Sequence, residues 1–199
     1  LTTGDANDTS YAGVMSGTGG LTKQGAGSFT ITGTNTYTGT TTVSTGTLLL
    51  GAGDQLNIAS ALVVSGGTFD LGGFSNRVNS VQLTSGGIIN GRLTSTTDFD
   101  MQAGTVSAVL SGSVGLNKST SGVVTVSGAN DYSGTTTVSA GTLLLGAADR
   151  LNNAGALVVN GGTLDLGGYS NTVNSVQLTS GAISNGTLTS ATAFDVQAG

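Results

Sequence analysis

Aspartate is the only acidic side chain in this sequence, which has no glutamate, histidine or cysteine. Six of the ten aspartates recur at fixed places: Asp54 with Asp149, Asp70 with Asp165, and Asp100 with Asp195. Paired carboxylates could cleave glycosidic or pectic bonds. That chemistry needs two carboxyls within about 5–10 Å and a raised pKa on one of them. Asp98 and Asp100 lie two residues apart and could share a strand face. However, Ala193 stands where the second copy would repeat Asp98. The simpler reading is a set of solvated strand-face carboxylates that discourage aggregation. The residue types exclude a catalytic triad, a histidine- or cysteine-bound zinc and a thiol nucleophile. GGTFDLGGF at 66–74 approaches the calcium-binding pattern G-G-x-G-x-D-x-apolar-x but lacks its middle glycine. Tyr37 and Tyr132 could be platforms on which sugars stack, although a single tyrosine per copy more commonly plugs the edge of a core. The runs TYTGTTTVSTGT and DYSGTTTVSAGT could align hydroxyls in outward ladders. Ordinary strand propensity and stacked hydroxyl bonds account for them more simply. No catalytic, cofactor-binding or metal-binding residue is assigned.

The chain that must position these residues is long enough for one or two domains, at 199 residues. It has 35 glycines, no proline and no tryptophan, and its other polar positions are mostly Thr, Ser and Asn. A chain without glutamate and with five Lys plus Arg is poor material for surface helices. Its Thr, Val, Ile and Phe favour strands, and its Gly, Asn and Asp favour turns. Hydrophobic residues make up 37% and fall in regular short runs, which argues for a packed core and against disorder. With a net charge of −5 there is no basic patch for nucleic acid. No apolar run approaches the roughly 18 residues of a membrane span, so this segment is not expected to insert into a membrane. Leu1 opens a polar stretch without the pattern of a leader, which would place any export signal outside this sequence.

An internal repeat dominates the sequence. Tyr37 matches Tyr132, Asp54 matches Asp149 and Phe99-Asp100 matches Phe194-Asp195, each at an offset of 95 residues. The alignment runs from Leu21 to Gly104 without a gap, with about two-thirds of its positions identical. Residues 1–20 read as the divergent tail of a preceding copy, 21–115 as copy one and 116–199 as a truncated copy two. A slice cut inside a repeat would leave open strand edges and favour head-to-tail association with like chains. Strand candidates fall at 29–32, 40–44, 47–50, 61–65, 68–71, 78–84, 88–89, 92–95, 98–102, 105–111 and 123–127. Alternation marks one buried face, as in Phe69 and Leu71 around Asp70 or Val81 and Leu83 around Gln82.

Two folds accommodate many short strands. One is a right-handed parallel β-helix with coils of about 20–25 residues stacked on one another. The other is a tandem pair of β-sandwich modules, since a copy is close to the ~100 residues of an immunoglobulin-like domain. The turn signals come too close together for a sandwich, no large aromatic anchor is present, and no linker divides residues 105–120. These features favour the β-helix. Asn90-Gly91 and Asn185-Gly186 are the contrary signal, being the dipeptide of a type I′ hairpin. In a β-helix the same pair serves as a corner with positive φ.

Residues 21–48 carry a longer motif: Leu21, Lys23, Gly25, Gly27, Thr30, Gly33, Asn35, Tyr37, Gly39, Thr41, Val43, Gly46, Thr47 and Leu48. The second copy keeps Leu116, Lys118, Gly122, Thr125, Gly128, Asn130, Tyr132, Gly134, Thr136, Val138 and Gly141, with Thr120 at the first glycine. This pattern resembles the passenger-associated (autotransporter-associated β-strand) repeat of bacterial autotransporters. The resemblance implies a secreted parallel β-helix on the Gram-negative cell surface, acting as an adhesive or self-associating stalk. Its partners would be like chains, joined head-to-tail or laterally, and host or matrix glycans, met through a polar Ser/Thr/Asn surface. No cofactor is implied. The alternative function is a polysaccharide-degrading β-helix enzyme with Asp carboxylates in a groove.

Overall fold

The computed structural model describes residues 1–197, and those residues form strands and turns without a helix. Residues 198–199 of copy two lie outside the described residues. Among the described residues every strand pairing is parallel, and each strand pairs with the one roughly a coil later. A sandwich needs antiparallel neighbours, so the fold is a parallel β-solenoid. Asn90 and Asn185 take φ of 54° and 55° at corners between parallel strands, and no hairpin forms.

One outward column traces the whole molecule. It runs Thr2, Thr22, Thr42, Val63, Gln82, Asp100, Asn117, Thr137, Val158, Gln177 and Asp195. From Thr22 to Asn117 successive coils take 20, 21, 19, 18 and 17 residues. Three of these coils are shorter than the expected 20–25, and the five together complete one 95-residue repeat. At about 4.8 Å between coils, the ten spacings that separate the eleven positions of this column span about 48 Å. The ladder passes from copy one to copy two through Phe99↔Leu116 without interruption.

The inward neighbours of this column are Leu21, Thr41, Leu62, Val81, Phe99, Leu116, Thr136, Leu157 and Val176, all buried. Opposite them stand Phe29, Leu48, Phe69, Ile88, Val106 and Val126. The two faces meet across one continuous core. Full burial of each large side chain contributes about 1.5–3 kcal/mol. A shorter third side stacks Ser75–Val78 under Arg92–Ser95 and Val109–Ser111.

Several strands differ from those expected. Residues 61–65 and 68–71 form one strand, Ala61–Asp70, bent by an irregular register around Ser65 with Gly66 at φ 142°. Likewise 78–84 and 88–89 merge into Ser80–Ile89. The stretch 105–111 instead divides into Gly104–Val106 and Val109–Ser111, because the chain turns a corner at Ser107-Ala108. Leu21–Lys23 and most of Ser75–Val78 were not among the candidates.

Leu116→Ala empties a fully buried site in the middle of the stack and should cost about 2–5 kcal/mol by urea unfolding. Thr137→Ala, on the outward column, should change stability by less than about 0.5 kcal/mol.

Candidate functional site

The recurrent aspartates serve as backbone and side-chain acceptors. Asp70 accepts from the Gly72 amide at 2.8 Å and from Asn90 Nδ2 at 3.1 Å. Asp165 does the same with Gly167 and Asn185. Asp100 reaches Gln82 in the preceding coil at 2.7 Å and Gln102 at 2.9 Å. Asp98 turns the other way, to the Gly115 amide at 2.7 Å in the next coil. The two neighbours thus belong to different hydrogen-bond networks. Asp70 and Asp100 stand on different faces of the rod. Among the described residues no three acidic, histidine or cysteine side chains gather to hold a metal.

The large motif side chains point inward, while Thr30 and Thr47 take the alternate, outward positions of their strands. Lys23 and Lys118 are fully buried on the inward side of their strands. Lys23 Nζ donates to the carbonyls of Gln24, Gly25 and Thr45 at 3.0, 2.8 and 3.3 Å. It thereby satisfies corner carbonyls of its own coil and of the next. Gly46, at φ 63°, sits against this cluster, and a Cβ there would lie 2.6 Å from the ammonium. In copy two Lys118 Nζ donates to the Thr120 and Ala140 carbonyls. Thr120 replaces the flexible glycine and anchors its hydroxyl on the Gln102 carbonyl at 2.9 Å.

Asn35 bridges three coils. Its Oδ1 accepts from the Met15 amide at 2.8 Å and its Nδ2 donates to the Gln55 carbonyl at 2.9 Å. Asn130 repeats this between Leu110 and Arg150. Where no regular strand forms on the third side, these carboxamides supply the ladder. Tyr37 and Tyr132 are buried, with their hydroxyls on Thr41 and Thr136 at 2.5 and 2.7 Å. Tyr132 also packs against Phe99 with ring centroids 6.1 Å apart. Neither ring offers a face to a sugar. Thr41 and Thr136 turn inward to meet the tyrosines, and the outward hydroxyl ladder stops after Thr2, Thr22 and Thr42.

The model of the passenger-associated-transport-repeat matches residues 21–50 and 116–145, the two stretches that carry the buried lysine, asparagine and tyrosine. Both are passenger-associated transport repeats of the autotransporter passenger type. The chain is also similar to the adhesin BmaC autotransporter of Brucella suis biovar 1 (strain 1330), at 33% identity over 173 residues. That match covers 80% of the chain and 5% of the relative, so the chain spans about a twentieth of the relative's length. No solved structure matches the chain.

Since the passenger repeat spends its signature residues on the interior, any binding chemistry lies on the outward positions. One cleft occurs twice. In copy one it measures about 360 Å³ and is bounded by Asn35, Asp54, Leu56, Asn57, Ile58 and Arg77. Its counterpart five coils on, about 420 Å³, has Asn130, Asp149, Leu151, Asn152, Asn153 and Thr172. The shape recurs but Ile58 and Arg77 become Asn153 and Thr172, so the two walls differ in chemistry. A second recurring feature keeps its chemistry: Phe74 and Tyr169 are exposed aromatics at matching corners. The sequence does carry a signal for them, an aromatic held in Gly-Gly-aromatic-Ser-Asn in both copies.

Burial pushes the Tyr132 hydroxyl up to about 12 and raises that of Tyr37 as well. An unfolded tyrosine ionises near pH 10. Stability from these groups is therefore complete below about pH 10 and is lost as pH rises toward 12. Burial moves Lys23 and Lys118 the other way, lowering their pKa. That makes stability rise with pH between the lowered native value and the unfolded value near 10.4. Chemical denaturation across pH 8–12 should show no loss before about pH 10 and a steep loss above it. Tyr132→Phe should flatten that loss.

Proposed function

We propose that this chain is a non-enzymatic adhesive segment of a protein displayed outside a Gram-negative cell. It holds to like rods or to glycans by many weak hydrogen bonds from outward Thr, Ser, Asn and Gln side chains. The observation that carries this reading is the unbroken outward column from Thr2 to Asp195. It presents a side chain about every 4.8 Å along the rod, polar at every position except Val63 and Val158. Side chains at such a spacing act together only on a partner that is itself extended. Adding repeats adds contacts without new design, because each coil is stabilised by its neighbours. The name of the Brucella relative, an adhesin, agrees with this reading. The structural hydrogen bonds of Asp70, Asp98, Asp100 and Asp165 support an architectural role for the acids over a catalytic one.

Microspheres coated with the protein should clump with one another, or attach to cultured epithelial cells, more than albumin-coated microspheres do. Doubling the number of repeats per molecule should raise retention more than twofold, as linked weak contacts require. Microspheres that neither clump nor attach would overturn the reading.

A further inference from the structure

Phe74 and Tyr169 are 41% and 42% exposed, although each has a coil stacked on either side. Phe29, Tyr37, Phe69, Phe99 and Tyr132 are buried, and the other exposed aromatics, Tyr11 and Phe194, lie in the first and last described coils. Exposure at two matching interior corners is therefore specific to this position. Each ring follows a Gly-Gly pair with both φ positive, 61° and 84° in copy one and 62° and 86° in copy two. The ring leans on bare backbone. A Cβ at Gly72 would lie 3.3 Å from Phe74 Cδ2 and 3.5 Å from Leu49 Cδ1. At Gly167 the same construction meets Tyr169 Cδ2 at 3.3 Å.

The glycine beside each ring also anchors a polar group, since the Gly72 amide donates to Asp70 and the Gly167 amide to Asp165. Asp70 and Asn90 are joined at 3.1 Å, as are Asp165 and Asn185. Both asparagines are locked in the left-handed region. Each carboxylate keeps lone pairs beyond those used by its glycine amide and asparagine. Each corner thus combines an exposed aromatic side chain with a carboxylate and a carboxamide. A pyranose ring has the complementary chemistry: C–H groups on one face and hydroxyl donors at its edge. The sign of the charge narrows the class further. The shared group is an anion, while the cation beside the first patch, Arg92, is replaced by Thr187 beside the second. An acidic sugar would meet repulsion, and a neutral one would not.

We propose that Phe74 with Asp70 and Asn90, and Tyr169 with Asp165 and Asn185, form two copies of a binding site for a neutral pyranose unit. The proposal rests on the adhesive reading and names its sugar-facing contact. Five coils separate the sites, about 24 Å along one edge of the rod. One extended polysaccharide chain can occupy both, so the second contact forms at high effective concentration.

The test probes a printed array of neutral, sialylated and sulfated oligosaccharides with the 199-residue protein. Affinities for the sugars retained are then measured by titration calorimetry. Binding should be confined to neutral pyranose oligosaccharides. Phe74→Leu and Tyr169→Leu keep an apolar contact on the glycine but remove the π-face. Each alone should weaken binding to a long oligosaccharide by about tenfold or more, and the double variant should abolish it. Tyr169→Phe, which keeps the π-face, should bind as the unaltered protein does. Retention of no neutral sugar, a preference for charged sugars, or unchanged binding by a folded double variant would each overturn the proposal. Cell-attachment by microspheres separates the two readings. Attachment that survives in the double variant removes the sugar site and leaves adhesion standing. Sugar binding without any attachment or clumping does the reverse.

Discussion

A stack of parallel coils closes only if the backbone groups at its corners find partners. Along the flat faces each amide and carbonyl meets the next coil. At the corners the chain changes direction, and carbonyls fall inside the rod where water is excluded. An unpaired buried carbonyl costs about 1–3 kcal/mol, and a rod of eleven coils has many corners. The repeat solves this with two buried polar side chains. Lys23 and Lys118 bring an ammonium with three donors to one corner, and Asn35 and Asn130 bring an acceptor and a donor pair to another. Burying a charge is costly in itself. The lysines are tolerated because inward carbonyls surround each ammonium and, in copy one, because Gly46 leaves room for it.

This requirement explains why the motif identifies the family and says little about a ligand. Its lysine, asparagine and tyrosine face inward, and its turn glycines leave room for close-packed neighbours. The surface is correspondingly free to vary. The twice-repeated cleft shows that freedom, with Ile58 and Arg77 giving way to Asn153 and Thr172 while the local shape persists. The corner with Phe74 and Tyr169 behaves differently: the ring, the glycine pair and the Asp–Asn link all recur.

The same physics decides what the sequence makes legible. The repeat, the alternation at Phe69–Leu71 and Val81–Leu83, and the closeness of the turn signals follow from one-in, one-out packing, and they point to the solenoid directly. Leu21–Lys23 escapes because its inward positions are a leucine and a lysine, and hydropathy places a lysine outside. Ser75–Val78 escapes for the same reason, since its inward Asn76 is polar and accepts the Leu56 amide. Ala61–Asp70 reads as two strands because Gly66-Gly67 signals a turn, whereas the structure uses the pair to bend a single strand. Tyr37 is ambiguous in sequence because a tyrosine can face either way. Thr41, four residues on, decides it by supplying a buried partner for the hydroxyl.

Coil length ties these features to function. Coils of 17 to 21 residues differ mainly in the corner loops, since the two faces must keep register. Long coils place loops such as Gly51–Ser60 on the third side, and the shortest, from Asp100 to Asn117, has almost none. The five-coil cycle therefore returns each surface position at one fixed interval along the rod. A weak contact whose residues are kept between copies is repeated at that interval by construction. Valency then becomes a matter of how many repeats the chain contains, and the interior motif is what keeps the interval constant.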